Sequence, residues 1–224
     1  MVVLDTVREH LFLLAHDEDK KLRPLIHPST LGVGLAGAGI IDLLIDDRIH
    51  IDHGRAYVTN LYNRTRTGDP ITDDVLTIVH AVQPAPPLPR LLRDLAGGLY
   101  ERTQAGLVAA GVLIRVERRL RSHYALTQPM ATVSIRAAVR SRLDGKTYQS
   151  VDYLIVDALC ALISALGLQH SLMAFSTARE INEQLQQITA RIANLSHGGP
   201  TGAIPLVSAM VREAVGDDAT AVYR

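Results

Sequence analysis

The sequence predicts a mainly α-helical protein that forms a single domain around a central helix bundle, with β-hairpins. Its 224 residues are 47% hydrophobic but only 4% aromatic, with no Trp, so the core must be built from aliphatic side chains, which suits packed helices. Apolar residues recur at helical spacing along most of the chain, and two stretches alternate with period two around a turn. Because a chain of this length can bury one sizeable core, we treat residues 1–224 as one domain.

In the first half of the chain, capping and turn signals predict where the elements lie. Thr6 and Glu9 have the spacing of a capping box, which predicts a first helix from Thr6. Alternating residues around His53 and Gly54 predict a β-hairpin. The other predicted elements are a helix capped by Ser29 or Thr30 and running to about Ile45, and a helix over about residues 73–82.

In the second half, Gly and Pro mark the boundaries. A stiff connector, "QPAPPLP", precedes a helix from about Arg90 to Ala110, which Gly97 and Gly98 interrupt. The stretch "VLIRVERRLRSHYALT" predicts two strands around a charged turn, which makes this hairpin arginine-rich. The remaining predicted helices span about residues 130–142, 150–168, 176–194 and 204–215.

A glycine pattern raises the question of a dinucleotide cofactor. Gly32, Gly34 and Gly37 have the order G-x-G-x-x-G, and Asp52 follows Gly32 by twenty residues. However, two prolines stand where the first buried strand should run, and the next strands turn back as a hairpin instead of forming a βαβ unit. The sequence therefore predicts no cofactor, and glycines that let neighbouring helices approach closely.

Charge is unevenly distributed, although the formal net charge is zero. Residues 90–142 contain ten arginines against three acids, a net charge of +7, and such a segment attracts phosphates, nucleic acid or acidic lipid headgroups. The alternative is a solvated face whose charge the acidic ends of the chain neutralise. Only two aromatic residues, Tyr100 and Tyr124, lie in the segment to stack on bases, so we expect no nucleic acid partner.

No catalytic or metal-binding signature is found in the sequence. The single cysteine, Cys160, lies in an apolar helical stretch and is predicted to be a core residue in a reducing compartment. The start of the chain has no pattern of a secretion signal, and the apolar stretches are shorter than the roughly 20 residues of a membrane span. We expect a cytoplasmic protein without enzymatic activity, metal or cofactor.

Five stretches, in order, resemble the Golgi phosphoprotein 3 family over residues 4 to about 170. They are "LFLLAHDEDKKLRP", "LGVGLAGAGIIDLLIDDRIHID", "TGDPITDDVL", "LYERTQAGLVAAGVL" and "RVERRLRSHYALTQP". The resemblance implies a helical domain with a protruding hairpin, and a non-catalytic adaptor that binds phosphatidylinositol 4-phosphate on a membrane and gathers protein cargo. In the family's eukaryotic members the hairpin supports oligomerisation and membrane contact.

The resemblance also implies where an anionic headgroup would bind. The family's Trp position falls at His27, and its three Arg positions fall at Ala36, Gly97 and Tyr100, so none of these four residues is retained. The predicted headgroup residues are Arg23, His27, Arg90, Arg93, Tyr100 and Arg102, and the alternative for these arginines is ion pairing with Asp94 and Glu101. The predicted membrane or oligomer contacts on the hairpin are Arg115, Arg118, Arg119, Leu120 and Arg121.

Two functions from different classes follow from these residues. The first is a peripheral membrane or adaptor-type protein that binds anionic lipid through its basic surface, with shallow insertion of Leu120. The second is a cytosolic interaction module that self-associates through the hairpin of residues 113–126 without binding lipid. The alternative for the hairpin arginines is a solubilising role, since charged edge strands block aggregation. A nucleic acid binder and a nucleotide-dependent enzyme are further alternatives.

Overall fold

A computed structural model describes residues 4–17, 21–59, 66–117, 123–146, 152–169, 177–195 and 200–221. The described residues form nine α-helices and three two-stranded antiparallel sheets, which confirms the mainly α prediction. The helices are α1 (Val7–Leu14), α2 (Pro28–Ile45), α3 (Pro70–Ala81), α4 (Leu88–Ala96), α5 (Leu99–Ala109), α6 (Met130–Leu143), α7 (Tyr153–Leu166), α8 (Ala178–Leu195) and α9 (Ile204–Ala221). The strands are β1 (His16–Asp17), β2 (Arg23–Pro24), β3 (Ile49–Asp52), β4 (Arg55–Val58), β5 (Leu113–Val116) and β6 (His123–Leu126).

Helix α2 is the centre of the fold. Its residues from Leu31 to Leu44 are all buried, and it packs against α1, α4, α7 and α9. Among the described residues α2 alone is long and apolar enough to cross a membrane by length and composition, with a mean hydropathy of 1.6. Because 78% of this stretch is buried by the rest of the protein, α2 has the setting of a core helix.

The glycines of α2 are contact points for its neighbours, as predicted. A Cβ atom at Gly34 would lie 2.5 Å from Leu166 Cδ1 of α7, and one at Gly37 would lie 2.4 Å from Val211 Cγ2 of α9. Real Cβ atoms do not approach that closely, so α7 and α9 pack where α2 has no side chain.

At three helix starts the predictions differ in accuracy: one is confirmed and two are wrong. Thr6 caps α1 as predicted, with its Oγ1 accepting a hydrogen bond from the Glu9 N–H at 3.1 Å. The prediction of Ser29 or Thr30 as the α2 cap is wrong, because the helix begins at Pro28 and the His27 ring accepts from the Ser29 N–H. Likewise α3 begins at Pro70, three residues before the predicted start, with Asp69 as its cap.

The remaining boundaries agree with the predictions to within a few residues, apart from the end of α9. The predicted interruption at Gly97 and Gly98 separates α4 from α5, and Gly98 has a φ of +70°, which glycine adopts without strain. Helix α4 begins inside the predicted connector, at Leu88, and α9 extends to Ala221. Both predicted hairpins are present, as β3–β4 and β5–β6.

Candidate functional site

The first group of predicted site residues lies where the chain leaves α1 and enters α2. Strands β1 and β2 pair there with the register Asp17 to Arg23, and the Leu25 N–H donates to the Ala15 carbonyl at 2.8 Å. Arg23 and His27 are both exposed on this connection. The connection is therefore fixed to the end of α1, with a cation and a titratable ring facing solvent.

Tyr100 of α5 closes one side of this connection. Its hydroxyl lies 3.0 Å from His16 Nε2, and its ring centroid lies 5.3 Å from that of Phe12. His16 Nδ1 lies 2.6 Å from the Phe12 carbonyl, which can only accept, so Nδ1 carries the proton and Nε2 accepts from the Tyr100 hydroxyl. Burial lowers the pKa of His16, which keeps the ring neutral, and burial also raises the pKa of Tyr100.

Arg136 of α6 is a neighbour that the sequence analysis missed. Its Nη2 donates to the His16 carbonyl at 3.2 Å, across 120 residues of chain. The only sequence signal was its membership of the basic segment. Helix α6 therefore forms a hydrogen bond with His16, the residue that accepts from the Tyr100 hydroxyl.

Two elements that carry resemblance-derived positions, the start of α2 and the junction of α4 with α5, lie side by side. A Cβ atom at Gly32, in the first turns of α2, would lie 3.0 Å from the Ala96 carbonyl at the end of α4. This brings the start of α2, which His27 caps, next to the junction that contains Gly97 and precedes Tyr100. Ala36 lies on α2 and is fully buried.

Two of the other predicted cations, Arg90 and Arg102, have partners of opposite charge. Arg90 is exposed and lies 3.8 Å from Asp94, as the ion-pair alternative predicted. Arg102 forms its ion pair with Asp74 of α3, an acid that the sequence analysis did not name. Arg93 is half-buried on α4. The structure thus brings Tyr100 to the connection of Arg23 and His27, while Arg90 and Arg102 are engaged by acids.

The arginine-rich hairpin β5–β6 runs outward from the core. Leu113 pairs with Leu126 and is buried, whereas the next residue, Ile114, is 48% exposed and Arg115 is exposed as well. The other predicted hairpin contacts, Arg118, Arg119, Leu120 and Arg121, lie outside the described residues.

Among the described residues, Cys160 and the possible metal ligands can be assessed from the structure. Cys160 is fully buried, and burial raises the pKa of its thiol to about 12, so the thiolate nucleophile is not formed near neutral pH. The part of the chain that the structure describes contains no group of three or more His, Cys, Asp or Glu side chains that would hold a metal ion. Arg23 and His27 are exposed, and Tyr100 bonds His16 of the neighbouring strand β1.

Comparison with known proteins matches residues 7–217 to the family described as Golgi phosphoprotein 3 (GPP34). The match covers helices α1 to α8 in full, α9 as far as residue 217, and both predicted hairpins. No curated protein matches the sequence.

Proposed function

Since the chain belongs to the Golgi phosphoprotein 3 (GPP34) family, we propose that it is a peripheral membrane or adaptor-type protein that binds anionic lipid headgroups through a basic surface. The family is non-enzymatic. The proposal includes a cytoplasmic location with reversible attachment to a membrane.

The observation that carries the proposal is the exposure of basic and apolar side chains together on one hairpin. Arg115 is exposed beside Ile114, and the segment 90–142 to which they belong has a net charge of +7. Met130 begins α6 four residues after the end of β6 and is 67% exposed. Each arginine near an acidic bilayer contributes about 1 kcal/mol to the free energy of binding. Exposed apolar side chains add to it when they become buried in the membrane interface.

A headgroup would be held between the connection of Arg23 and His27 and the Tyr100 end of α5. Arg23 offers a bidentate donor, and the Tyr100 oxygen, whose proton is committed to His16, offers an acceptor to a ligand hydroxyl. Such a site would recognise a phosphorylated polyol rather than charge alone. Phosphatidylinositol 4-phosphate, which the family resemblance suggests, has this chemistry.

Co-sedimentation with vesicles tests the proposal. Neutral vesicles, vesicles with phosphatidylglycerol and vesicles with phosphatidylinositol 4-phosphate are compared at low and high salt. We expect binding to the acidic vesicles that high salt abolishes, because exposed charges are screened beyond about 8–10 Å near physiological ionic strength. No binding at low salt contradicts the proposal.

Paired variants locate the surface. Arg118→Ala with Arg121→Ala should weaken binding, whereas Arg179→Ala with Arg191→Ala, which removes the same charge from exposed positions of α8, should not. Arg23→Ala should remove any preference for the phosphoinositide over phosphatidylglycerol and leave the general attraction in place. Equal losses in both double variants would show that only net charge matters.

Self-association through the hairpin is the second candidate. In the described residues β5 and β6 pair only with each other, so each strand has an edge to offer to another chain. Sedimentation velocity of the full chain and of Ile114→Lys separates the candidates. A dimer or larger species that Ile114→Lys dissociates, without vesicle binding, supports the interaction module.

A further inference from the structure

The first turns of α6 expose two large apolar side chains to solvent. Met130 is 67% exposed and Val133 is 48% exposed, whereas Ile135 of the same helix is buried where α6 packs against α1, α7 and α8. Residues at intervals of three or four share one face of a helix. Four residues at these intervals form what we call the α6 stripe: Met130, Val133, Ala137 and Arg140.

Contacts at both ends of α6 fix the position of the stripe. Before the helix, the Thr127 N–H donates to the Val112 carbonyl at 3.0 Å, which attaches the end of β6 to the residue before β5. At the other end, Arg142 donates to Asp157 of α7 at 3.0 Å. Residues 127–130, which join the β5–β6 hairpin to α6, are all exposed. The apolar pair is therefore presented by a fixed helix that follows directly from the hairpin.

The charges along α6 suit a negatively charged partner. The helix contains three arginines and no acidic residue. Within the part of the chain that the structure describes, the side chain of Arg140 has no acidic partner, and the first acid beyond the helix, Asp144, lies 4.0 Å from Lys146. Apolar side chains with a cation on the same helix face are typical of helices that lie on an acidic membrane, because the cation reaches the headgroups while the apolar groups leave water.

The size of the apolar pair favours a bilayer over another protein. A stable protein–protein interface buries about 1,200 Å² or more, which two side chains on one helical turn do not supply. A bilayer needs no complementary surface, since each apolar side chain that enters the interface contributes separately. Ile114 of the hairpin, which is 48% exposed, adds a third such side chain to the same basic segment.

We propose that the α6 stripe is a second membrane contact: Met130 and Val133 enter the interface of an acidic bilayer, and Arg140 lies among its headgroups. The hairpin and α6 then contact the membrane together, which restricts the orientation of the protein on it. This inference rests on the function proposed above.

Variants without a change of charge test the apolar part of the contact. Met130→Gln with Val133→Thr keeps the size of both side chains but makes them polar, and Ile78→Thr with Leu206→Gln makes the same kind of change at exposed positions of α3 and α9. Circular dichroism checks that both double variants are folded. On phosphatidylglycerol vesicles at low salt, we expect the α6 double variant to bind about tenfold more weakly than the wild type, and the control double variant to bind equally well.

A tryptophan probe shows whether the stripe enters the bilayer. The chain contains no Trp, so Met130→Trp carries a single probe on α6 and Ile78→Trp carries a single control probe on α3. On phosphatidylglycerol vesicles, the emission of Met130→Trp should shift to shorter wavelength and should be quenched by lipids brominated in their acyl chains. The emission of Ile78→Trp should show neither change.

The outcomes separate this inference from the proposed function. If the vesicles bind the protein but the α6 double variant binds as well as the wild type, or loses no more than the control, the α6 contact is overturned and the lipid function stands. An unshifted Met130→Trp emission on bound vesicles has the same meaning. No binding of the wild type at low salt overturns both. A dimer in sedimentation velocity that the α6 double variant dissociates shows that a second copy covers the stripe, and overturns the bilayer as its partner.

Discussion

A pair of alanine substitutions on α2 tests whether its glycines are packing contacts. Gly37 and Gly39 both lie in the buried interior of α2, so replacing either with alanine brings the same gain in helix propensity, about 1 kcal/mol. Their surroundings differ. A Cβ at Gly39 would lie 3.6 Å from Val75 Cγ2, an ordinary contact, whereas a Cβ at Gly37 would lie 2.4 Å from Val211 Cγ2.

The difference between the two variants gives the steric cost. Val211 lies within α9, where a valine side chain has one strongly preferred rotamer, so it cannot simply turn away. Forcing an extra carbon into a packed core costs about 1–3 kcal/mol. We therefore expect Gly39→Ala to stabilise the protein by about 1 kcal/mol, and Gly37→Ala to be about 1–3 kcal/mol less stable than Gly39→Ala.

Urea unfolding followed by circular dichroism measures the free energy of unfolding of each variant. In a thermal scan the Tm values of the two variants should differ by about 2–4 °C for each kcal/mol of difference in stability. Val211→Ala provides the coupling test, because Gly37→Ala should cost less in that background than in the wild type. If Gly37→Ala stabilises as much as Gly39→Ala, or if its cost is unchanged by Val211→Ala, the close approach of α2 and α9 is refuted.

Three further outcomes are expected. Asp157→Asn breaks the largely buried ion pair with Arg142, whose two hydrogen bonds measure 2.5 and 3.0 Å, and should lower the free energy of unfolding by about 3 kcal/mol. Arg179→Ala removes one partner of an exposed ion pair and should change the free energy of unfolding by under about 0.5 kcal/mol. Similar values for the two variants would contradict the burial of the Arg142–Asp157 pair. Cys160 should not react with a thiol reagent at pH 8 until the protein unfolds, because its pKa is raised to about 12, and rapid labelling of the native protein would contradict this. Tyr100→Phe keeps the ring contact with Phe12 but removes the hydrogen bond to His16, so the free energy of unfolding measured in urea should fall by about 1 kcal/mol. An unchanged free energy of unfolding would contradict this hydrogen bond.

Local signals were sufficient to predict most helices, and the errors have a common physical origin. The Ser29 or Thr30 cap and the late start of α3 were both wrong because a proline is the first residue of the helix in each case, at Pro28 and Pro70. Proline suits that position, since its missing N–H would have no partner there and its φ is already helical. An Asp-Pro or His-Pro pair is therefore a stronger start signal than a later Ser or Thr.

The site was predictable as a segment but not as a set of contacts. The basic composition of residues 90–142 was visible in the sequence, yet the partner of Arg102 is 28 residues away and that of Tyr100 is 84 residues away. Such pairs depend on how helices pack, which local spacing does not encode. The sequence shows which residues carry positive charge, but only the fold shows which of them form ion pairs with acidic residues.

The glycine pattern of α2 shows how one spacing serves two purposes. In a dinucleotide site the glycine backbone at the start of a helix approaches a phosphate. In α2 the three glycines lie within an unbroken helix, and a different element fills the space beside each: Ala96 of α4 at Gly32, Leu166 of α7 at Gly34 and Val211 of α9 at Gly37. At about 100° per residue these positions point in separate directions around the helix, as a central helix enclosed by α4, α7 and α9 requires. The same missing side chains that would admit a phosphate admit three neighbouring helices. The sequence feature that distinguishes the two is the pair of prolines, Pro24 and Pro28, that stands before Gly32 where a dinucleotide site has a buried strand.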